Sequence, residues 1–170
     1  DDAVGEAFDK VAKIIGLPYP GGPSIAQAAE HGNREKYRLP KARMQNPYDF
    51  SFSGLKTAVL RAVQAECGKP FDFPSHGLAG LLNTSQRDDF AASFQQTAVE
   101  TLVDKAEAVF DAYQPNSVII AGGVAANSEL RKQLQARGIP MHEECVVTAL
   151  LRNENGEVCG LTALDYVRGE

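Results

Sequence analysis

Gly122, Gly123 and Asn127 stand where the apolar run Ser117-Val-Ile-Ile120 gives way to the helix-forming Asn127-Ser-Glu-Leu-Arg131. Paired glycines let backbone approach a ligand closely, and a helix N-terminus beside an amide offers it hydrogen-bond donors. A second glycine pair, Tyr19-Pro-Gly-Gly-Pro23, and the carboxylate of Asp9 lie upstream. A carboxylate can accept hydrogen bonds from both hydroxyls of a ribose diol. Asp9, Gly22 and Asn127 would therefore grip a nucleotide if folding gathered them around one space.

Each of these residues also has a plainer reading. Glu6, Asp9 and Lys10 suit a solvated helix face, and either glycine pair suits an ordinary loop. The spacing is that of neither a Rossmann fingerprint nor a Walker loop. In Ser51-Phe-Ser-Gly-Leu-Lys56, Ser53 is expected to cap a helix, with Phe50 and Phe52 turned inward. Lys56 then falls in the first turn, where the helix dipole disfavours a cation, which points to a neighbouring anion. His31, His76 and His142 are scattered, with no pair one helical turn apart. His142-Glu-Glu-Cys145 holds ligand-type residues, but neighbours in a strand face opposite ways. No metal site is expected in this chain. Cys67, Cys145 and Cys159, odd in number and widely spaced, suit reduced thiols in the cytoplasm.

The elements that must position these groups follow from periodicity. Asp1 or Asp2 would cap a helix over 2–15, whose apolar residues Val4, Ala7, Phe8, Val11, Ile14 and Ile15 recur at helical spacing. Pro18, Pro20 and Pro23 break the chain around a rigid Gly21-Gly22 turn, and a short helix is expected over 24–30. The segment 33–47 is basic and irregular. A helix over 55–66 precedes a connecting loop at 68–85. The longest helix is expected over 87–113, with Phe90, Phe94, Ala98, Leu102, Ala106, Val109 and Phe110 on its buried side. A strand at 117–121 and a helix at 127–137 follow. Asn155-Gly156 between two apolar runs predicts a hairpin over 144–163.

Bulk properties set limits. The 170 residues, 44% hydrophobic and 23% charged, suffice for one globular core. A net charge of −5 means that RNA contact would require a local basic patch or a partner. No apolar run approaches the roughly 20 residues that span a bilayer. Asp1-Asp2-Ala3 is neither an initiator nor a signal peptide, so the chain reads as a piece of something longer.

Five blocks carry a family resemblance. They are Asp1-Asp-Ala-Val-Gly-Glu-Ala-Phe-Asp-Lys10, Tyr19-Pro-Gly-Gly-Pro23, Asp49-Phe-Ser-Phe-Ser-Gly-Leu-Lys-Thr57, Ala91-Ala-Ser-Phe-Gln95 and Ala121-Gly-Gly-Val-Ala-Ala-Asn127. Their order and spacing over residues 1–138 resemble the tRNA threonylcarbamoyladenosine transferase family, once called O-sialoglycoprotein endopeptidase. The resemblance implies an α/β fold of the actin/Hsp70/sugar-kinase type, with this chain as its second lobe. Residues 1–140 would form that lobe and 141–170 a divergent tail with the hairpin. It implies transfer of a threonylcarbamoyl group from its adenylate to adenosine beside the tRNA anticodon. A divalent metal of the iron or zinc type would assist, with small partner proteins and no membrane. Carried over residue by residue, Asp9 contacts the nucleotide sugar, Gly22 offers its backbone, and Asn127 follows the Gly-Gly strand end.

The departures matter equally. The family's His-x-x-x-His metal pair and phosphate loop are not in this sequence. Ala26 stands where many members carry a polar or acidic residue that helps hold the sugar. The family's closing Thr-Asp-Asn block has no match, and Asp165 is in the wrong context to inherit its metal role. The resemblance therefore implies half a cleft, no assigned catalytic residue, and an isolated chain without activity. A diverged, non-catalytic scaffold that pairs with an intact relative is the alternative. A sugar-kinase-like phosphotransferase is disfavoured by the 49–57 block, and no hydrolytic constellation supports the peptidase label.

Overall fold

The computed structural model describes residues 3–115, 118, 120, 122–139 and 145–165. It is α/β: five helices and a two-stranded antiparallel sheet among the described residues. Helix α1 (Val4–Ile15) buries Ala7, Phe8, Val11, Ala12, Ile14 and Ile15, the face set by its apolar spacing. Its N-cap is Ala3, with no side-chain cap bond; Asp1 and Asp2, the expected caps, lie outside the described residues. Gly16 closes it, and the Leu17 N–H returns to the Ala12 carbonyl.

Helix α2 (Gly21–Ala29) corrects the sequence reading: it starts three residues before the expected position, and the glycine pair forms its first turn. Pro20 is the N-cap and Pro23 lies within the first turn, where a missing N–H costs nothing. Helix α3 (Ser53–Glu66) is capped by Phe52 rather than Ser53. Phe52 is buried, whereas Phe50 is 48% exposed, contrary to the inward placement expected for both. The loop after α3 is folded back by Gln64, which is buried. Its amide nitrogen donates to the carbonyls of Phe71 at 3.2 Å and Phe73 at 2.9 Å, and its oxygen accepts from Arg61 at 3.0 Å. Two short 3-10 turns, Ser75–Gly77 and Ala79–Leu81, frame the buried Leu78.

Helix α4 (Thr84–Tyr113) is the backbone of the domain. Asn83 and Gln86 form a reciprocal capping box, which sets its start ahead of the expected residue 87. Phe90, Ala91, Ala92, Ser93 and Phe94 are all buried in succession, more than one stripe allows. The cause is that α1, α2 and α3 all pack on its first half. Phe8 meets Phe94 edge-to-face at 4.9 Å. The second half instead joins α5 (Ser128–Ala136), where Val99, Val103, Leu130, Leu134 and Ile139 form a separate small core. Val109, expected inward, is exposed.

The basic segment 33–47 is a strap along α4 that opens with a turn, the Lys36 N–H returning to the Asn33 carbonyl. Its Asn33 N–H bonds Asp89 at 2.8 Å, its Tyr37 N–H bonds the Ser93 hydroxyl at 3.2 Å, and Lys105 donates to the Pro47 carbonyl. The Tyr37 ring stacks on Phe90 at 3.7 Å. Burial pushes the Tyr37 phenol up to about 12, and nearby Glu66 adds to the shift. The strand expected over 117–121 falls largely outside the described residues; Val118 and Ile120 pack against the second core. Strands β1 (Cys145–Arg152) and β2 (Val158–Asp165) form the hairpin that Asn155-Gly156 predicts, with Gly156 at φ 80°. Irregularities in register fall around Thr148 and before Arg152.

Candidate functional site

Asp9 projects from the middle of α1 toward the start of α2. Its Oδ1 accepts the Gly21 N–H at 2.7 Å, so the carboxylate caps α2 from a neighbouring helix. This contact dictates the residue type at 21. A Cβ there would lie 2.6 Å from the Asp9 Cα and 2.7 Å from the Phe8 carbonyl oxygen. At Gly22 a Cβ would meet nothing within 4 Å. The two glycines thus have different jobs: one permits helix contact, and the other leaves open space. Pro23 has no N–H and Gly21 donates to Asp9. Gly22 is left with the first-turn N–H that has no partner among the described residues.

The second glycine pair is built differently. Gly122, at φ 86° and ψ 174°, adopts a conformation that side-chain-bearing residues avoid, and leads into the 3-10 turn Gly123–Ala126. Asn127 then caps α5, its Oδ1 accepting the Leu130 N–H at 3.0 Å. Its Nδ2 donates to Gln95 Oε1 on α4 at 2.8 Å. Half of the amide's capacity is therefore spent on structure, and one N–H remains to face outward.

Asp9, Gly22 and Asn127 line a single cavity of about 350 Å³. Phe8, Val124 and Ala26 contribute apolar wall, and Ser128 stands beside Asn127. A concave, largely apolar space with few polar groups is the usual form of a small-molecule site, and this volume is at the small end of that class. Two helix N-termini, those of α2 and α5, open onto it, so anionic groups are favoured there. A second cavity of about 320 Å³ shares Ala26 and Ser128 with the first. It is more polar, lined among others by Arg34, Gln95 and Lys132. An open hollow of about 680 Å³ lies on the far side of Asp9, against Tyr19.

Sequence reasoning missed Gln95 as the partner of Asn127. The residue stands in the quoted 91–95 block, but its partner is 32 positions away, a pairing only tertiary structure creates. Lys56 is engaged elsewhere and lines none of these three cavities. Residues 142–144 of the His-Glu-Glu-Cys run lie outside the described set. No group of three His, Cys, Asp or Glu side chains among the described residues is placed to hold a metal ion.

The family model described as TsaD, tRNA N6-adenosine threonylcarbamoyltransferase, matches residues 1–157.

The chain belongs to this family.

A tRNA N6-adenosine threonylcarbamoyltransferase of Symbiobacterium thermophilum is 48% identical over 136 residues, 80% of this chain and 36% of the relative. The protein of that name from Rippkaea orientalis is 50% identical over 175 residues, 98% of this chain and 47% of the relative. One from Gloeobacter violaceus is 46% identical over 138 residues, 81% of this chain and 37% of the relative. The chain therefore spans less than half the length of these relatives. The Rippkaea alignment and the family match both run past residue 140, where the motif resemblance stops.

Proposed function

We propose that this chain supplies the nucleotide-holding half of a threonylcarbamoyl transferase cleft, as the second lobe of an actin/Hsp70/sugar-kinase-type fold. The substrates would be threonylcarbamoyl-adenylate and tRNA, in the cytoplasm, with small partner proteins. One observation carries the reading: Asp9, Gly22 and Asn127, drawn from three separate sequence blocks, share the wall of one cavity.

The roles follow from the free valences. Asp9 spends one oxygen lone pair on Gly21 and keeps its other oxygen for the two hydroxyls of a ribose. The Gly22 N–H and the remaining Asn127 N–H are neutral donors for nucleotide oxygens. Phe8, Val124 and Ala26 offer apolar surface to the flat base. Each neutral hydrogen bond contributes about 1 kcal/mol and each charged one about 1.5–3 kcal/mol, so Asp9 dominates affinity. The described residues do not fit the metal that the family resemblance implies, and no step is assigned to it. Transfer chemistry would need groups from elsewhere in the full-length protein.

Two measurements test this. A transfer assay with tRNA and the adenylate donor should give no turnover with these 170 residues alone. Calorimetry with AMP should show weak binding that falls about tenfold or more in Asp9→Ala. Binding that Asp9→Ala leaves unchanged would refute the site. The second reading, a non-catalytic scaffold, is favoured by Ala26, whose methyl group cannot hydrogen-bond a sugar. It gains if Ala26→Glu restores AMP affinity that the parent lacks.

A further inference from the structure

The chain is acidic overall, yet residues 33–47 carry Arg34, Lys36, Arg38, Lys41 and Arg43 against Glu35 as their one carboxylate. Two of these cations are committed internally. Lys41 bonds Asp104 at 2.7 Å and Glu100 at 2.9 Å, and Arg34 lies 3.8 Å from Glu129. Lys36, Arg38 and Arg43 form no ion pair among the described residues and are exposed. Tyr37 and Leu39 are partly buried against the core, while Lys36, Arg38 and Arg43 are exposed. Stacking on Phe90 pins the Tyr37 ring against the protein.

We infer that Lys36, Arg38 and Arg43 form a docking stripe for the phosphate backbone of RNA. The inference rests on the proposed transfer to tRNA and adds where that substrate lies. Three observations favour RNA. The stripe is cationic on a molecule whose remaining surface is acidic, so it is a local patch that attracts a polyanion. It is tied down by α4, which lowers the ordering cost of binding, and it lacks the apolar helical face that a membrane-surface segment needs. It starts at Arg34, in the polar cavity that shares Ala26 and Ser128 with the nucleotide cleft. Backbone contacts orient a nucleic acid without reading its sequence, which suits a surface whose target base is handled in the adjoining cleft.

The test is fluorescence anisotropy of a labelled anticodon stem-loop RNA titrated with the chain at several salt concentrations. The triple variant Lys36→Gln, Arg38→Gln, Arg43→Gln should weaken binding roughly tenfold and lower the slope of log affinity against log salt by up to about 3. A control with equal net charge, Lys13→Gln, Lys69→Gln, Arg152→Gln, should stay within about twofold of the parent, because its cations are scattered. Arg38→Gln and Arg43→Gln singly should each lower the slope by about 1, which keeps the experiment decisive if the triple variant unfolds. Equal losses in the two triple variants would overturn the proposal. So would a parent chain that does not bind RNA, or RNA affinity unchanged in the stripe variant, which would leave an acidic protein surface as the partner. AMP binding, measured on the same proteins, is expected to be unaffected by the stripe variant. RNA binding through the stripe without any AMP binding would sink the nucleotide site and leave this proposal standing.

Discussion

Gly21→Ala and Gly22→Ala, neighbouring substitutions of identical chemistry, should behave oppositely. A methyl at 21 would sit 2.6 Å from the Asp9 Cα, 2.7 Å from the Phe8 carbonyl oxygen and 2.8 Å from the Asp9 nitrogen. Carbon atoms settle at about 3.5–4.0 Å, and all three neighbours are backbone, so no side chain can swing aside. Helix α2 must withdraw from α1 by about 1 Å, which breaks the 2.7 Å bond from the Gly21 N–H to Asp9. Overpacking costs about 1–3 kcal/mol and the lost charged hydrogen bond about 1.5–3 kcal/mol, and the helix preference of alanine returns up to about 1 kcal/mol. The net is a loss of about 1.5–6 kcal/mol, or roughly 3–24 °C in Tm for a domain of this size. Gly22→Ala meets nothing within 4 Å and should be neutral or stabilising by up to about 1 kcal/mol. Urea denaturation followed by circular dichroism measures both. Midpoints for the two variants that agree within about 0.5 kcal/mol would refute the close approach of α1 and α2 on which the cleft depends.

Other outcomes can be stated more briefly. Asn127→Ala should cost about 1–2 kcal/mol, from the lost α5 cap and an unpaired Gln95, while Asn127→Asp stays near the parent because the Gln95 amide can rotate to donate; urea midpoints decide. Gln64→Leu strands the Phe73 carbonyl and leaves the Phe71 carbonyl to Arg61 alone, so it should lose about 1–3 kcal/mol and speed proteolytic cleavage within residues 68–83. Burial would raise the Glu100 carboxyl, but bonds from Lys41 and Gln96 outweigh it and hold it below the usual carboxylate range. That contribution is present above the ordinary carboxylate range and is lost as pH falls through the lowered pKa. Burial likewise would lower Lys41, but Asp104 and Glu100 raise it, so its contribution persists below the ordinary lysine range and fades only as pH rises through the raised value. Both partners are partly exposed, so Lys41→Gln should cost under about 1 kcal/mol at pH 7, with the gap to the parent closing in strong acid.

Local signals were read well where one short stretch contains the whole cause. The apolar period of α1, the Asn-Gly turn of the hairpin and the Asn127 cap all act within a few residues. The start of α2 is not legible locally because two prolines and two glycines normally oppose a helix. Here a carboxylate 12 residues away accepts the N–H that the turn would otherwise leave unpaired. The start of α4 lay in a local capping box, Asn83 with Gln86, that was legible and overlooked. Phe50 and Phe52 differ only in which core reaches them, and spacing carries no such information.

The sequence by itself determined the apolar face of α1 and the family, since motif order and side-chain type are linear properties. Tertiary structure alone decided that Gly21 serves packing while Gly22 meets open space, that Gln95 fixes Asn127, and that three of the five strap cations have no ion pair among the described residues. Each of those depends on which distant backbone atom arrives within a few ångströms. A chain read in order cannot say that, because close approach is a property of two segments together.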